Sequence, residues 1–232
     1  MKPVSASDKG PKVLPREGIT LAVCYAIIDL GTQTKQFPGK PATTQQLLQF
    51  GFEIPSQLHT FDEKKGPQPL AVFQEYSYTC TDRSKLPKVL KSWGALKTEL
   101  QEITPELLQK YLGAPCMITI EYSKPNAAGK QYANIQGNGL GITRRMQEFV
   151  VPTNYPKNEL LFLNLDDFNW NTFEKLAPFL QEKIKGCAEW PSVEKRFPMP
   201  SNMANNNTQS PHVIDHDYKD IVTGSNEDNP FF

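Results

Sequence analysis

Three histidines, His59, His212 and His216, are the whole supply of imidazole in the chain. His212 and His216 fall in a polar tail, and His59 has no cysteine or histidine near it in sequence, so a histidine-based metal site or acid–base triad lacks ligands. Asp166-Asp167 is a tight carboxylate pair, and clustered carboxylates can serve two-metal nuclease chemistry. Adjacent side chains point in different directions, however, and Asp166-Asp167-Phe168 reads better as a turn or helix lead-in. Gly137, Gly139 and Gly141 form Gly-x-Gly-x-Gly, but no P-loop lysine follows and no βαβ unit surrounds them. They read as a strand exit. These exclusions point away from an enzyme and from any bound metal or cofactor.

The chemistry that remains is non-covalent. Bases of a single nucleic-acid strand stack on aromatic rings while lysine and arginine follow the phosphates, so a binding groove needs both kinds interleaved. Phe73, Tyr76, Tyr78, Tyr132 and Phe52 are the stacking candidates. Phe52 shares an apolar face with Phe50, Leu48 and Ile54, which leaves groove and core both open to it. The phosphate candidates are Lys35, Lys40, Lys64, Lys65, Arg83, Lys85, Lys88, Lys124, Lys130, Arg144 and Arg145. For each lysine the plain alternative is a solvated surface charge, and only a subset is needed.

The elements that must position these groups are short. Twenty prolines and fourteen glycines repeatedly interrupt regular structure and favour strands over long helices. Ile19, Leu21, Val23, Tyr25 and Ile27 alternate as one buried face of a first strand. Leu48, Phe50, Phe52 and Ile54 mark a second, and residues 70–79 a third. Asp82 or Ser84 starts a helix carrying Leu86, Val89, Leu90 and Trp93, and a second runs over 104–112 with Pro105 in its first position. Cys116, Ile118, Ile120 and Tyr122 give a fourth strand, residues 131–136 a fifth. Three strands, a helical insert between strands 3 and 4, then two strands is the order of the five-stranded, OB-type Greek-key barrel. The fold class is therefore mainly β. A C-terminal helix over 172–185, which Pro178 kinks or divides, packs on the barrel.

The predicted layout is a loose arm over 1–16, one OB-type domain over 17–190, a disordered linker over 191–214 and an acidic tail over 215–232. The formal charge is zero, but the tail holds five acids against one base, a net of −4, which leaves +4 on the rest. A mildly basic body joined to an acidic tail fits a nucleic-acid binder with an interaction peptide. Cys24, Cys80, Cys116 and Cys187 are far apart, show no knuckle spacing, and with no leader read as buried thiols of a reducing compartment. No apolar run spans a bilayer, so no membrane partner is expected. A homo-oligomer is left open.

The chain ends Asn226-Glu227-Asp228-Asn229-Pro230-Phe231-Phe232. Aromatics behind acids on a polar tether suit a basic-rimmed apolar pocket on another protein, which assigns partner binding to Glu227, Asp228, Pro230, Phe231 and Phe232. This tip resembles the acidic, phenylalanine-ended tail of bacterial single-stranded DNA-binding proteins, with an extra final Phe and fewer acids. The body, over 18–31, 50–55, 84–93 and 112–122, is similar instead to phage-encoded single-stranded DNA-binding proteins. That resemblance implies an OB fold before an acidic tail and work in the host cytoplasm. It also implies sequence-tolerant protection of unwound single-stranded DNA, and recruitment of replication or recombination proteins such as a polymerase, helicase or primase. A phage structural or adaptor protein with a docking tail is the alternative.

Overall fold

The computed structural model describes residues 13–36, 39, 41–81, 83–99, 101–126 and 129–201. Its spine is β1 (Gly18–Lys35), which pairs antiparallel with β2 (Thr43–His59) over much of its length and with β4 (Pro115–Tyr122) over Gly18 to Val23. Strand β3 (Gln68–Ser77) pairs with β2, and β5 (Ala133–Ile135) with β4, so the path runs β3-β2-β1-β4-β5. Two further strands join it. β6 (Ile142–Arg144) pairs with β4, and β7 (Leu161–Leu163) lies parallel to β1 at Ala26 to Ile28, beyond the point where β4 stops. The fold is thus a mainly antiparallel sheet of seven strands with several short helices, two strands more than alternation predicts. Both extra strands fall between the predicted fifth strand and the predicted C-terminal helix, where no strand was expected. The hydrogen-bonded path is open, ending at β3 on one side and β5 on the other.

The predicted single buried face of β1 is corrected by a bulge. The pairing register shifts between Cys24 and Ala26, so one extra residue turns the strand over. Ala22 and Cys24 then share a core with Ile27, while Ala26, Ile28 and Leu30 face a second core on the other side. Ile19, expected inside, is 61% exposed.

The first core is closed by Phe50, Phe52 and Ile54 of β2, Val72 and Tyr76 of β3, and α1 (Lys85–Trp93), whose Leu86, Val89, Leu90 and Trp93 fill its base. Helix α1 ends at Gly94, left-handed at φ 95°, whose N–H returns to the Leu90 and Lys91 carbonyls. Ser84 stands at its start but spends its hydroxyl on Thr79 and Thr81. In α2 (Pro105–Gln109) Thr104 caps the Leu107 N–H as its sequence suggests, though the helix stops short of Leu112. Both helices lie between β3 and β4, the expected place.

After β5 the chain makes α3 (Gln136–Gly139), where the Tyr76 hydroxyl donates to the Gly139 carbonyl at 2.6 Å. Gly139 is left-handed at φ 91°, and a Cβ there would lie 2.8 Å from Gln74 and Tyr76. This bond draws β3 toward the β5–α3 corner. Tyr76→Phe, which keeps the ring and removes the bond, is expected to lower folding stability by about 1 kcal/mol. An unchanged urea midpoint would show that the contact contributes nothing.

The second core joins β1, β2 and β7 to α4 (Trp170–Glu174), α5 (Pro178–Lys185) and α6 (Trp190–Arg196). The predicted helix over 172–185 is two helices. Pro178 has no N–H to continue the first and takes the opening turn of the second. Helix α6 continues past Pro191, where composition pointed to a linker, because Trp190 and Val193 bury one side of it and Phe197 packs beside them. Cys24, Cys116 and Cys187 are buried as expected, but Cys80 is exposed. Among the described residues no helix is long and apolar enough to cross a membrane.

Candidate nucleic-acid interface

A groove across strands two and three requires their outer face to be open, and the chain covers it. Gln49, Gly51 and Glu53 of β2 stand opposite Glu75, Phe73 and Ala71 of β3 on that face. The Phe73 ring lies over Gly51 and meets Tyr25 edge-on at 6.0 Å, within the second core. Glu75 accepts from Gln49 and pairs with Lys183 of α5. Glu53, with 0% exposure, accepts from the backbone N–H of Lys157 and Asn158 and from the Asn158 side chain. Helix α5 and the segment 155–158 therefore occupy the surface that the sequence assigned to DNA.

Of the stacking candidates, Phe52, Tyr76 and Tyr132 are buried and Phe73 and Tyr78 are half-buried. Phe52 is fully buried, between Phe50 and Trp93, and Tyr76 is buried and bonded to Gly139. Enclosed rings offer no face to a base. Tyr132 is 6% exposed at the entry to β5. Tyr78, partly buried, packs on the first core and gives its hydroxyl to the Ile103 carbonyl; burial raises its pKa.

The basic residues divide between places. Lys35 ends β1 opposite Thr43, at the far end of the sheet from the turn between β2 and β3. Arg83 precedes α1, and Lys85 and Lys88 lie in its first turn, where partial burial lowers the Lys85 pKa. The Arg144 guanidinium lies against Gly94, and Arg145 donates to the Phe149 carbonyl. Lys40 and the tail residues Glu227, Asp228, Pro230, Phe231 and Phe232 lie outside the described residues, as do His212 and His216.

Four predicted phosphate ligands do converge. Lys64 and Lys65 sit on the turn leaving β2, and Lys124 and Lys130 on the loop leaving β4; all four are exposed. Both loops flank the start of β1. The Arg16 N–H donates to Gln57 at 2.7 Å, the Tyr122 N–H donates to Glu17 at 2.8 Å, and the hydroxyls of Thr20 and Ser56 lie 3.4 Å apart. These contacts join the β2 end, the entering chain and the β4 end into one continuous surface. Each loop is fixed by its own bonds. Lys64 N–H donates to the Asp62 carboxylate and Lys65 N–H to the Asp62 carbonyl, while Lys130 N–H donates to the Asn126 side chain. Of the nearby acids, Asp62, Glu17 and Glu121 each accept a backbone N–H and keep their charge, and Glu63 is exposed on the same turn as Lys64.

No protein-family model matches the chain, and no curated protein matches it. The site stands on its own geometry.

Three residues at this end were missed from sequence: Arg16, exposed beside Gln57, and the ring pair His59 and Phe61, whose centroids lie 4.6 Å apart at 71°. No periodicity marks them: Arg16 meets Gln57 of a distant segment, and His59 and Phe61 stand where the strand alternation of β2 ends. Among the described residues no group of three or more His, Cys, Asp or Glu side chains is placed to hold a metal ion. Asp166, the nuclease candidate, is well exposed and pairs with Arg196.

Proposed function

We propose that this protein binds single-stranded DNA with little sequence preference, without a catalytic step, and that its acidic phenylalanine-ended tail recruits replication or recombination proteins. The observation that carries the proposal is the convergence of Lys64, Lys65, Lys124 and Lys130 with Arg16 on one end of the sheet, where two loops offer ammonium groups to a phosphate chain. The topology supports it. β1 pairs with both β2 and β4, a helical insert fills the core between β3 and β4, and Tyr76 ties β3 to the exit of β5. That arrangement suits an OB-type barrel whose last seam is closed by side chains rather than by a ladder.

Affinity for a dT oligonucleotide, compared with duplex over a salt series, tests the reading. Tight binding to dT that weakens with salt is expected, and equal or absent binding would reject it. Replacing Lys64, Lys65, Lys124 and Lys130 together by Ala is expected to flatten the plot of log affinity against log salt by roughly 3, since each single-strand phosphate contact contributes about 0.7. An unchanged slope would place the strand elsewhere on the molecule.

A further inference from the structure

We infer that Phe61, braced by His59, is the base-stacking platform of this site; the inference rests on the proposed single-strand binding. The strand aromatics are committed to packing: Phe52 and Tyr76 to the first core, Phe73 to the second. A strand held only by lysines would bind through charge alone, without the ring contact that gives each stacked base its own share of the affinity. Phe61 is half-buried on the turn that carries Lys64 and Lys65, and Tyr122, also half-buried, precedes Lys124 on the neighbouring loop. Phe61 lies two residues beyond the last residue of β2, and the turn that follows carries Lys64 and Lys65.

Its position is fixed rather than loose. His59 is paired to Gln68 in the β2–β3 ladder, which places its backbone, and its ring meets Phe61 edge-on. An edge-to-face pair holds a ring's plane. The turn after it is closed by the Asp62 and Glu63 carbonyls, which accept from Lys65 and Gly66 N–H, and by Gly66 in a left-handed conformation at φ 64°. Phe61 and the two lysines are thus carried by one hydrogen-bonded turn. A base laid on Phe61 has its phosphates beside Lys64 and Lys65, and the strand continues past Arg16 toward Lys124 and Lys130. His59 acts as a positioning residue and Phe61 makes the contact.

The test pairs a dT oligonucleotide with an abasic strand of the same length, against wild type, Phe61→Ala and Phe61→Trp, each checked for folding by circular dichroism and thermal melting. Wild type is expected to prefer dT over the abasic strand. Phe61→Ala is expected to lose roughly 5- to 100-fold in dT affinity, to lose most of that preference, and to keep the salt slope, because stacking is a contact with the base and not with the phosphate. Phe61→Trp is expected to retain affinity and to show fluorescence quenching on dT that the abasic strand does not produce. Wild-type dT affinity in a folded Phe61→Ala variant would overturn the platform while leaving the proposed function standing. Should Phe61→Ala fail to fold, absence of dT-dependent quenching in a dT-binding Phe61→Trp variant would overturn it equally. A wild-type protein that ignores dT would remove the binding function itself and the platform with it.

Discussion

Glu53→Ala is expected to lower folding stability by about 3 kcal/mol, because a fully buried carboxylate is removed from two backbone N–H groups that then have no acceptor, each costing about 1–3 kcal/mol. Glu53 sits on the outer face of β2, between the pairings with Val23 and Ala71. Its two oxygens hold Lys157 and Asn158 at 2.8 to 2.9 Å, so one side chain fastens the segment between β6 and β7 across the sheet. A buried charge is tolerable there because it is met by N–H dipoles, the condition under which burial of a carboxylate does not become prohibitive. Glu53→Gln fits the same space but turns an amide N–H toward a donor, so it recovers only part of the loss. Urea midpoints for the three proteins, with limited proteolysis between 146 and 160, check both statements. A wild-type midpoint in Glu53→Ala would show that this fastening contributes nothing.

The second large effect depends on pH. Asp29 is buried beside the left-handed Gly31, and its carboxylate accepts the Gly31 N–H at 2.9 Å and the Leu165 N–H. Burial raises its pKa from 3.8 to about 6, opposed by those two bonds and reinforced by the negative charges of Glu189 and Asp166. A carboxyl whose pKa is higher in the folded chain than in the unfolded one favours folding while both forms are protonated. That contribution is complete below about pH 4, shrinks as pH rises toward 6, and is gone above it. The difference amounts to on the order of 3 kcal/mol. Asp29→Asn keeps an oxygen for the two N–H groups and has no charge to bury. It is expected to be more stable than wild type at pH 7, with the gap closing toward pH 4. Denaturation midpoints of the pair from pH 4 to 7 decide the matter, and a gap independent of pH would refute the assignment.

Much of the first core was legible because its signals are local. Thr104 followed by Pro105 marks a helix start whatever the rest of the chain does, and Pro178 must interrupt a helix because it lacks a donor. Leu48, Phe50, Phe52 and Ile54 share a face in the structure as their spacing required. The bulge in β1 was not legible. Ala22, Cys24, Ala26 and Ile28 are as apolar as Leu21, Val23 and Ile27, so neither parity of the alternation stands out, and the extra residue is defined only by the register with β2. The three-residue strands β6 and β7 are likewise made by their partners, β4 and β1. The same reason hid the candidate site. In the sequence Lys64 and Lys124 stand among eleven phosphate candidates with nothing to say which lie together, and what unites these two is a pair of contacts made by Arg16 and Glu17, each to a strand more than thirty residues away. Phe73 misled for a related reason: its face looked solvent-bound until the helices carrying Lys183 and Trp190 were laid over it.

Because β1 turns over at Tyr25, it supplies aliphatic side chains to both sides of the molecule, and neither side can be pared away from the other. A chain cut short before Leu160 would keep every strand of the first core yet leave Ala26, Ile28, Leu30 and Leu47 as a bare greasy ribbon in water. The smallest self-sufficient piece therefore extends to Phe197, and melting one half strips the other of its scaffold, so the two are bound to unravel together.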